Sequence, residues 1–121
     1  MKRRETGILG EKIAINFLRK RGYRILETNY RCHYGEIDIV ARQKDCLAFI
    51  EVRTKKSLVF DSPEESITRT KKEHMRATAN HYLQTHGNVS PSWRIDMVAI
   101  ELNQADKPLR VELIEYAVEE G

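Results

Sequence analysis

The sequence predicts an α/β fold: a single domain over residues 1–121, with one mixed β-sheet flanked by helices. Three observations predict it. The length of 121 residues suits one domain with one modest core. Two stretches carry apolar residues at helical spacing, and the short stretches between them read as strands. The resulting order is helix, three strands, helix, two strands, an α/β arrangement with a mixed sheet. No internal repeat, linker or low-complexity segment interrupts it.

The first helix runs from about Thr6 to Arg21. Leu9, Ile13 and Phe17 recur every four residues, and Gly10, Ala14 and Leu18 widen the stripe. Lys12, Arg19 and Lys20 fall toward solvent or the helix end, where cations suit the dipole. Gly22 is a natural C-terminal stop. Glu11 borders the apolar stripe: it is either an exposed carboxylate at the core margin or one aimed across the sheet at Asp38. Tyr23 to Leu26 is a short strand. Glu27 to Arg31 leads on to the strand Gly35 to Val40, and Gly35 frees the backbone to turn into it. Gln43-Lys44-Asp45 reads as a hairpin connection. Leu47 to Thr54 begins apolar and becomes charged, as a strand does when its far end emerges at a site.

Lys55 to Pro63 reads as a loop, and a second helix covers roughly Pro63 to Thr85. Its apolar face is Met75, Ala79, Tyr82 and Leu83. Arg69, Lys72, Arg76 and Asn80 form a ridge beside it, and Lys71 lies at the border, able to project toward the sheet. Such a basic ridge is usually a solvated face; flanking a carboxylate site would give it a role. His86 to Pro91 is a break. Arg94 to Ile100 is a strand, Asn103 to Pro108 a turn, and Leu109 to Val118 the last strand.

Composition limits the function classes. A hydrophobic content of 40% fits an ordinary soluble protein, and the net charge of +3 alone does not announce a nucleic-acid binder. Cys32 and Cys46 form no CxxC pair and the four histidines show no metal-ligand spacing, so the two thiols fit a reducing compartment. The charged N-terminal stretch is unlike a signal peptide, and no run is apolar enough to span a bilayer, so cytoplasm is expected.

The chemistry concentrates in Gly35-Glu36-Ile37-Asp38-Ile39-Val40 and Phe49-Ile50-Glu51-Val52-Arg53. Alternation sets Glu36 and Asp38 opposite Ile37 and Ile39, and Glu51 and Arg53 opposite Ile50 and Val52. Carboxylates and a fixed cation are thereby expected on a surface backed by apolar residues, a costly place for charge unless something binds. A hard divalent cation, Mg²⁺ or Mn²⁺, takes oxygen ligands, and one or two carboxylates plus substrate phosphates suffice. Such an ion acidifies water and polarises a phosphoryl oxygen. Asp38 and Glu51 supply carboxylates from adjacent strands, and the Val52 carbonyl offers a further oxygen. Arg53, two residues past Glu51, shares its strand face.

Asp38 followed by Glu51-Val52-Arg53 resembles the signature of the PD-(D/E)xK nuclease superfamily, whose αβββαβ, restriction-endonuclease-like core matches the order read here. Nearly the whole chain resembles the YraN-like family, small bacterial proteins described as candidate endonucleases related to Holliday-junction resolvases. The matching stretches are Gly10-Glu11, Gly22-Tyr23, Asn29-Tyr30-Arg31, Gly35 to Asp38, Phe49 to Arg53, Ser66 to Lys71 and Arg94-Ile95-Asp96. The resemblance implies Asp38 and Glu51 as metal ligands, Glu11 as the helical acid completing the site, and Lys71 as a helix-borne cation. It implies DNA as partner, and Lys55, Arg69, Lys71, Lys72 and Arg76 are the cations expected to contact it. Junction cutting would suit a symmetric homodimer.

Arg53 departs from the pattern, which has lysine there. Arginine effectively never loses its proton, so it is a poor base; it can still clamp a phosphate through its planar fork. Lys55 and Lys71 are candidate replacements for the lysine. Glu36 lies ~7 Å along the strand from Asp38 and is at most an outer partner. His33 either contacts metal or phosphate or is polar surface, His74 and His81 read as surface, Asp96 beside Arg94 as an ion-pair or structural residue, and Trp93 as packing. Tyr30 and Tyr34 either stack on bases or pack at the rim. Three readings follow: a metal-dependent nuclease, a non-catalytic nucleic-acid-binding module, and a protein-interaction domain whose charges merely form surface pairs.

Overall fold

Local sequence sets each boundary. Gly22, at φ 87, closes the first helix. Its N–H donates to the Arg19 carbonyl and that of Tyr23 to the Leu18 carbonyl, while Leu18 and Tyr23 bury together. Lys44-Asp45 makes a two-residue turn with Lys44 at φ 55. Thr68 caps the second helix, its side chain accepting from the Lys71 N–H at 3.1 Å.

The computed structural model describes residues 3–56, 62–87 and 92–118. Among these the order is α1 (Arg3–Lys20), β1 (Arg24–Cys32), β2 (Gly35–Gln43), β3 (Cys46–Lys55), a 3₁₀ turn η1 (Glu64–Ser66), α2 (Arg69–Thr85), β4 (Ser92–Leu102) and β5 (Pro108–Val118). The five strands form one mixed sheet in the order β1-β2-β3-β4-β5. Every neighbouring pair is antiparallel except β3–β4, whose parallel pairing requires the crossover that α2 supplies. The expected α/β fold, with an αβββαβ core and a further C-terminal strand, is the observed one. No helix among the described residues is long and apolar enough to cross a membrane.

The sheet separates two main apolar clusters. On one side Ala14 and Leu18 of α1 meet Ile39, Ala41, Ala48, Ile50, Val98 and Ile100. On the other, Met75, Ala79, Tyr82 and Leu83 of α2 meet Ile37, Val40, Phe49 and Ile95. Glu51, Asp96 and Thr78 are the polar residues buried among the described ones.

Four details differ from expectation. The core of α1 centres on Gly10, Ala14 and Leu18, while Leu9, Ile13 and Phe17 are only half-buried. This rotation matters, because Glu11 lies on the flank shared by Ala14, Ile15 and Leu18. The strand expected at Tyr23–Leu26 extends to Cys32, because Tyr30 and Arg31 pair with Ile37 and Glu36 of β2. α2 begins at Arg69, since buried Ile67 is extended (φ −83, ψ 121) and separates it from η1. Ile37 and Ile39 bury in different clusters, so the simple alternation around Asp38 does not hold. The expected loop at Ser57–Asp61 and the end of the break, Asn88–Pro91, lie outside the described residues.

Candidate active site

The β2–β3 ladder explains why alternation fails at Asp38. Regular pairing runs from Gln43↔Cys46 to Ile39↔Ile50 and ends there. In place of the next step, the Val52 N–H donates to Asp38 Oδ2 at 2.8 Å. A side chain thus substitutes for a backbone acceptor where the two strands part. Asp38 is held at the split by β3 itself.

Glu51 stands on β3 with only 4% of its surface exposed. Arg53 Nε lies 3.1 Å from its Oε2, and Lys71 Nζ, from α2, lies 3.8 Å from its Oε1. Neither contact is a well-formed hydrogen bond: Glu51 Oε1 and Arg53 Nε are both buried without a hydrogen-bond partner. Burial first, and then the charge of the neighbouring Asp38 and a hydrogen bond with it that favours the protonated form, together push the Glu51 carboxyl up to about 8 against the opposing pull of Lys71 and Arg53. Two cations are therefore insufficient to compensate this carboxylate.

Glu11 approaches from α1. Burial first, and then the Asp38 charge, raises its proton affinity, while a hydrogen bond from Asn29 lowers it. That bond, Asn29 Nδ2 to Glu11 Oε1, is 3.0 Å. Asn29 adopts φ 54, a left-handed conformation that asparagine tolerates better than most residues, and so breaks the regularity of β1 to face α1. Gly10 allows the helix to come this close. A Cβ there would stand 1.9 Å from Thr54 Oγ1 on β3. Neither Asn29 nor the Gly10–Thr54 approach was read from the chain as part of the site. The signal for each was an asparagine or a glycine inside an otherwise regular element.

The remaining candidates divide. Val52, Arg53 and Lys55 line a cleft of about 530 Å³ together with Thr6, Gly7, Thr54 and Ser66. A second, shallower cleft of about 460 Å³ is lined by Lys71, His74, Arg31, Cys32, Gly35 and Glu36. Lys71 thus faces both Glu51 and this second cleft. Lys72 and Arg76 are half-buried on α2, and Arg69 is exposed and within 3.5 Å of Glu73. Glu36 pairs with Arg31 at 2.9 Å rather than with the carboxylate pair. Asp96 is the expected ion-pair residue: Arg94 Nε donates to it at 2.7 Å, and it accepts from the Tyr116 N–H. No group of three or more histidine, cysteine, aspartate or glutamate side chains is gathered closely enough to hold a metal among the described residues. What the fold brings together is a pair, Asp38 and Glu51, with Glu11 at its margin.

Comparison with known proteins places this chain in a family. A family model described as "Uncharacterised protein family UPF0102" matches residues 10–100. Three UPF0102 proteins align over nearly their whole length. One from Dehalococcoides mccartyi is 46% identical, over 98% of this chain and 96% of its own. One from Moorella thermoacetica is 45% identical, over 97% and 98%. One from Caldicellulosiruptor saccharolyticus is 39% identical, over 97% and 99%. The chain belongs to the UPF0102, YraN-like family. The matched stretch begins at Gly10, immediately before Glu11, and contains Asp38, Glu51, Arg53 and Lys71.

Proposed function

We propose that this protein is a divalent-metal-dependent endonuclease of the PD-(D/E)xK type that hydrolyses DNA phosphodiester bonds, with branched or structured DNA as its substrate class. One observation carries the reading: Asp38 and Glu51 face each other on neighbouring central strands, and Glu51 is buried with an oxygen that no hydrogen bond satisfies. A buried carboxylate pair is costly unless a proton or a cation is bound.

Mg²⁺ or Mn²⁺ fits this donor set, which is all oxygen and leaves room for water and substrate. Asp38, Glu51 and the Val52 carbonyl would hold the ion, with Glu11 as the acid at the margin. When bound, it supplies Lewis acidity toward a phosphate oxygen and an attacking water. The other steps belong to the chain. Arg53 binds non-bridging phosphate oxygens through its planar fork and neutralises charge that develops on them. It takes no proton. Lys71 carries the ammonium brought to Glu51, and it takes the electrostatic place that lysine has in the superfamily pattern. Lys55, Arg69, Lys72 and Arg76 hold the flanking backbone phosphates.

A second reading rests on Arg53 itself. With arginine in the lysine position, the same surface serves a nucleic-acid-binding module that does not cut. Asp38→Ala separates the two. Under the nuclease reading it abolishes Mg²⁺- or Mn²⁺-dependent cleavage of a four-way junction while salt-sensitive binding persists or tightens, because a negative charge is removed. Wild-type protein that binds DNA yet cuts no linear, nicked or branched substrate in either metal supports the second reading. Absence of DNA binding at low salt sinks both.

A further inference from the structure

The structure separates two tyrosines that the sequence could not tell apart. Tyr30 points into the molecule. Its hydroxyl lies 2.8 Å from His81 Nδ1, and its ring meets Tyr82 edge-on at 5.1 Å. Tyr34 does the opposite. It sits in the β1–β2 turn with 46% of its surface exposed, one of few large apolar side chains so placed among the described residues.

The turn that presents Tyr34 is built onto α2. Gly35, at φ 147, lies so close to the helix that a Cβ would touch His74 Cβ and Thr78 Oγ1, each at 3.4 Å. His33 supports the Tyr34 ring at 4.0 Å between centroids, tilted by 39°. His81 meets the same ring at 6.1 Å and 66°. The exposed ring is thus braced by two others. Beside it lies the shallow cleft of Lys71, His74, Arg31, Cys32, Gly35 and Glu36, and Lys71 connects that cleft with Glu51. An ammonium facing a cleft suits a phosphate; a braced, exposed ring one turn residue away suits a nucleobase. In a continuous duplex the bases are stacked on each other and their faces are not available. A ring of this kind gains by stacking only where a base is unpaired.

We infer that the β1–β2 turn is a stacking site for an unpaired nucleobase, with Tyr34 as the platform, which selects DNA that carries unpaired nucleotides next to the carboxylate pair. This deepens the proposed function and rests on its nucleic-acid reading.

The test is equilibrium binding of the metal-free protein to two fluorescent DNAs of equal length, a fully paired duplex and a fork with unpaired arms. The wild type is expected to favour the fork. Base–aromatic stacking corresponds to roughly a fivefold to hundredfold change in affinity, so Tyr34→Ala should lose a preference of about that size while its duplex affinity stays unchanged. Tyr34→Trp should keep the preference, because the ring is exposed and a larger ring serves equally. A 2-aminopurine in the unpaired arm should be quenched by the wild type and not by Tyr34→Ala. Equal binding of the wild type to both DNAs, or a fork preference that survives Tyr34→Ala, overturns the inference and leaves the nuclease reading standing. Absence of binding to either DNA overturns both.

Discussion

Glu51 puts a sign on how the metal-free protein should respond to pH. Its carboxyl is raised from an ordinary value of 4.5 to about 8, chiefly by burial. The folded state therefore holds this proton more tightly than the unfolded state. The resulting stability is fully present below about pH 4.5 and is lost as pH rises through about 8. Thermal unfolding in chelator should show Tm falling between pH 5 and pH 9, by roughly a few kcal/mol of stability. Glu51→Gln should flatten that profile and raise stability at the alkaline end. Added Mg²⁺ should stabilise the wild type most at high pH, where the carboxylate is free to bind it, and should do nothing for Glu51→Gln. A flat wild-type profile would remove the argument. The residue types in this site were legible in the sequence, since two acids and a cation in alternating strands are visible to inspection. The exchange of a backbone acceptor for Asp38 was not, because it depends on where two strands part.

At the scale of elements, Gly10 decides how near α1 stands to β3. Helix propensity alone would make Gly10→Ala favourable by about 0.5–1 kcal/mol. Steric overlap outweighs this, because the new Cβ would meet Thr54 Oγ1 at 1.9 Å and Thr54 Cβ at 3.0 Å, so rotating the threonine does not clear it. Overpacking of this kind costs about 1–3 kcal/mol. Gly10→Ala should therefore lower Tm and, by lifting α1, weaken the proposed metal binding through Glu11. The double variant Gly10→Ala/Thr54→Ala should recover part of both losses, read as a coupling energy in a double-mutant cycle. If the two substitutions add independently, the contact does not set the helix position. Helical spacing revealed α1 and its apolar side from the chain. It could not show which residue of a broad stripe, Leu9 to Leu18, lies deepest, and that rotation is what turns Glu11 from a surface acid into a half-buried one.

Over the whole molecule, the far end of the sheet is pinned by charge rather than by apolar packing alone. Arg94 donates to Asp96, to the Tyr23 hydroxyl at 2.6 Å and to Cys46 Sγ at 3.1 Å, joining β4 to the connection between α1 and β1 and to the start of β3. Asp96 in turn fixes Tyr116, which adopts φ 56 in β5. Removing the cation alone leaves a fully buried carboxylate behind, so Arg94→Met should cost about 3–5 kcal/mol, measured by urea unfolding. The parallel register of β3 and β4 has a consequence in time. The β1–β2–β3 meander closes through short turns, whereas β4 pairs with β3 only after α2 has crossed over. Loop closure of that length slows pairing. A chain emerging from its N-terminus has Glu11, Asp38 and Glu51 in hand before Lys71 exists to face them. We expect Ala48→Gly in the early hairpin to slow refolding and Val98→Ala in β4 mainly to hasten unfolding, a contrast that stopped-flow kinetics would resolve. Between those two events the nascent sheet carries its acids without the Lys71 ammonium that later faces Glu51, and under the metal reading proposed above Mg²⁺ in the refolding buffer should speed refolding.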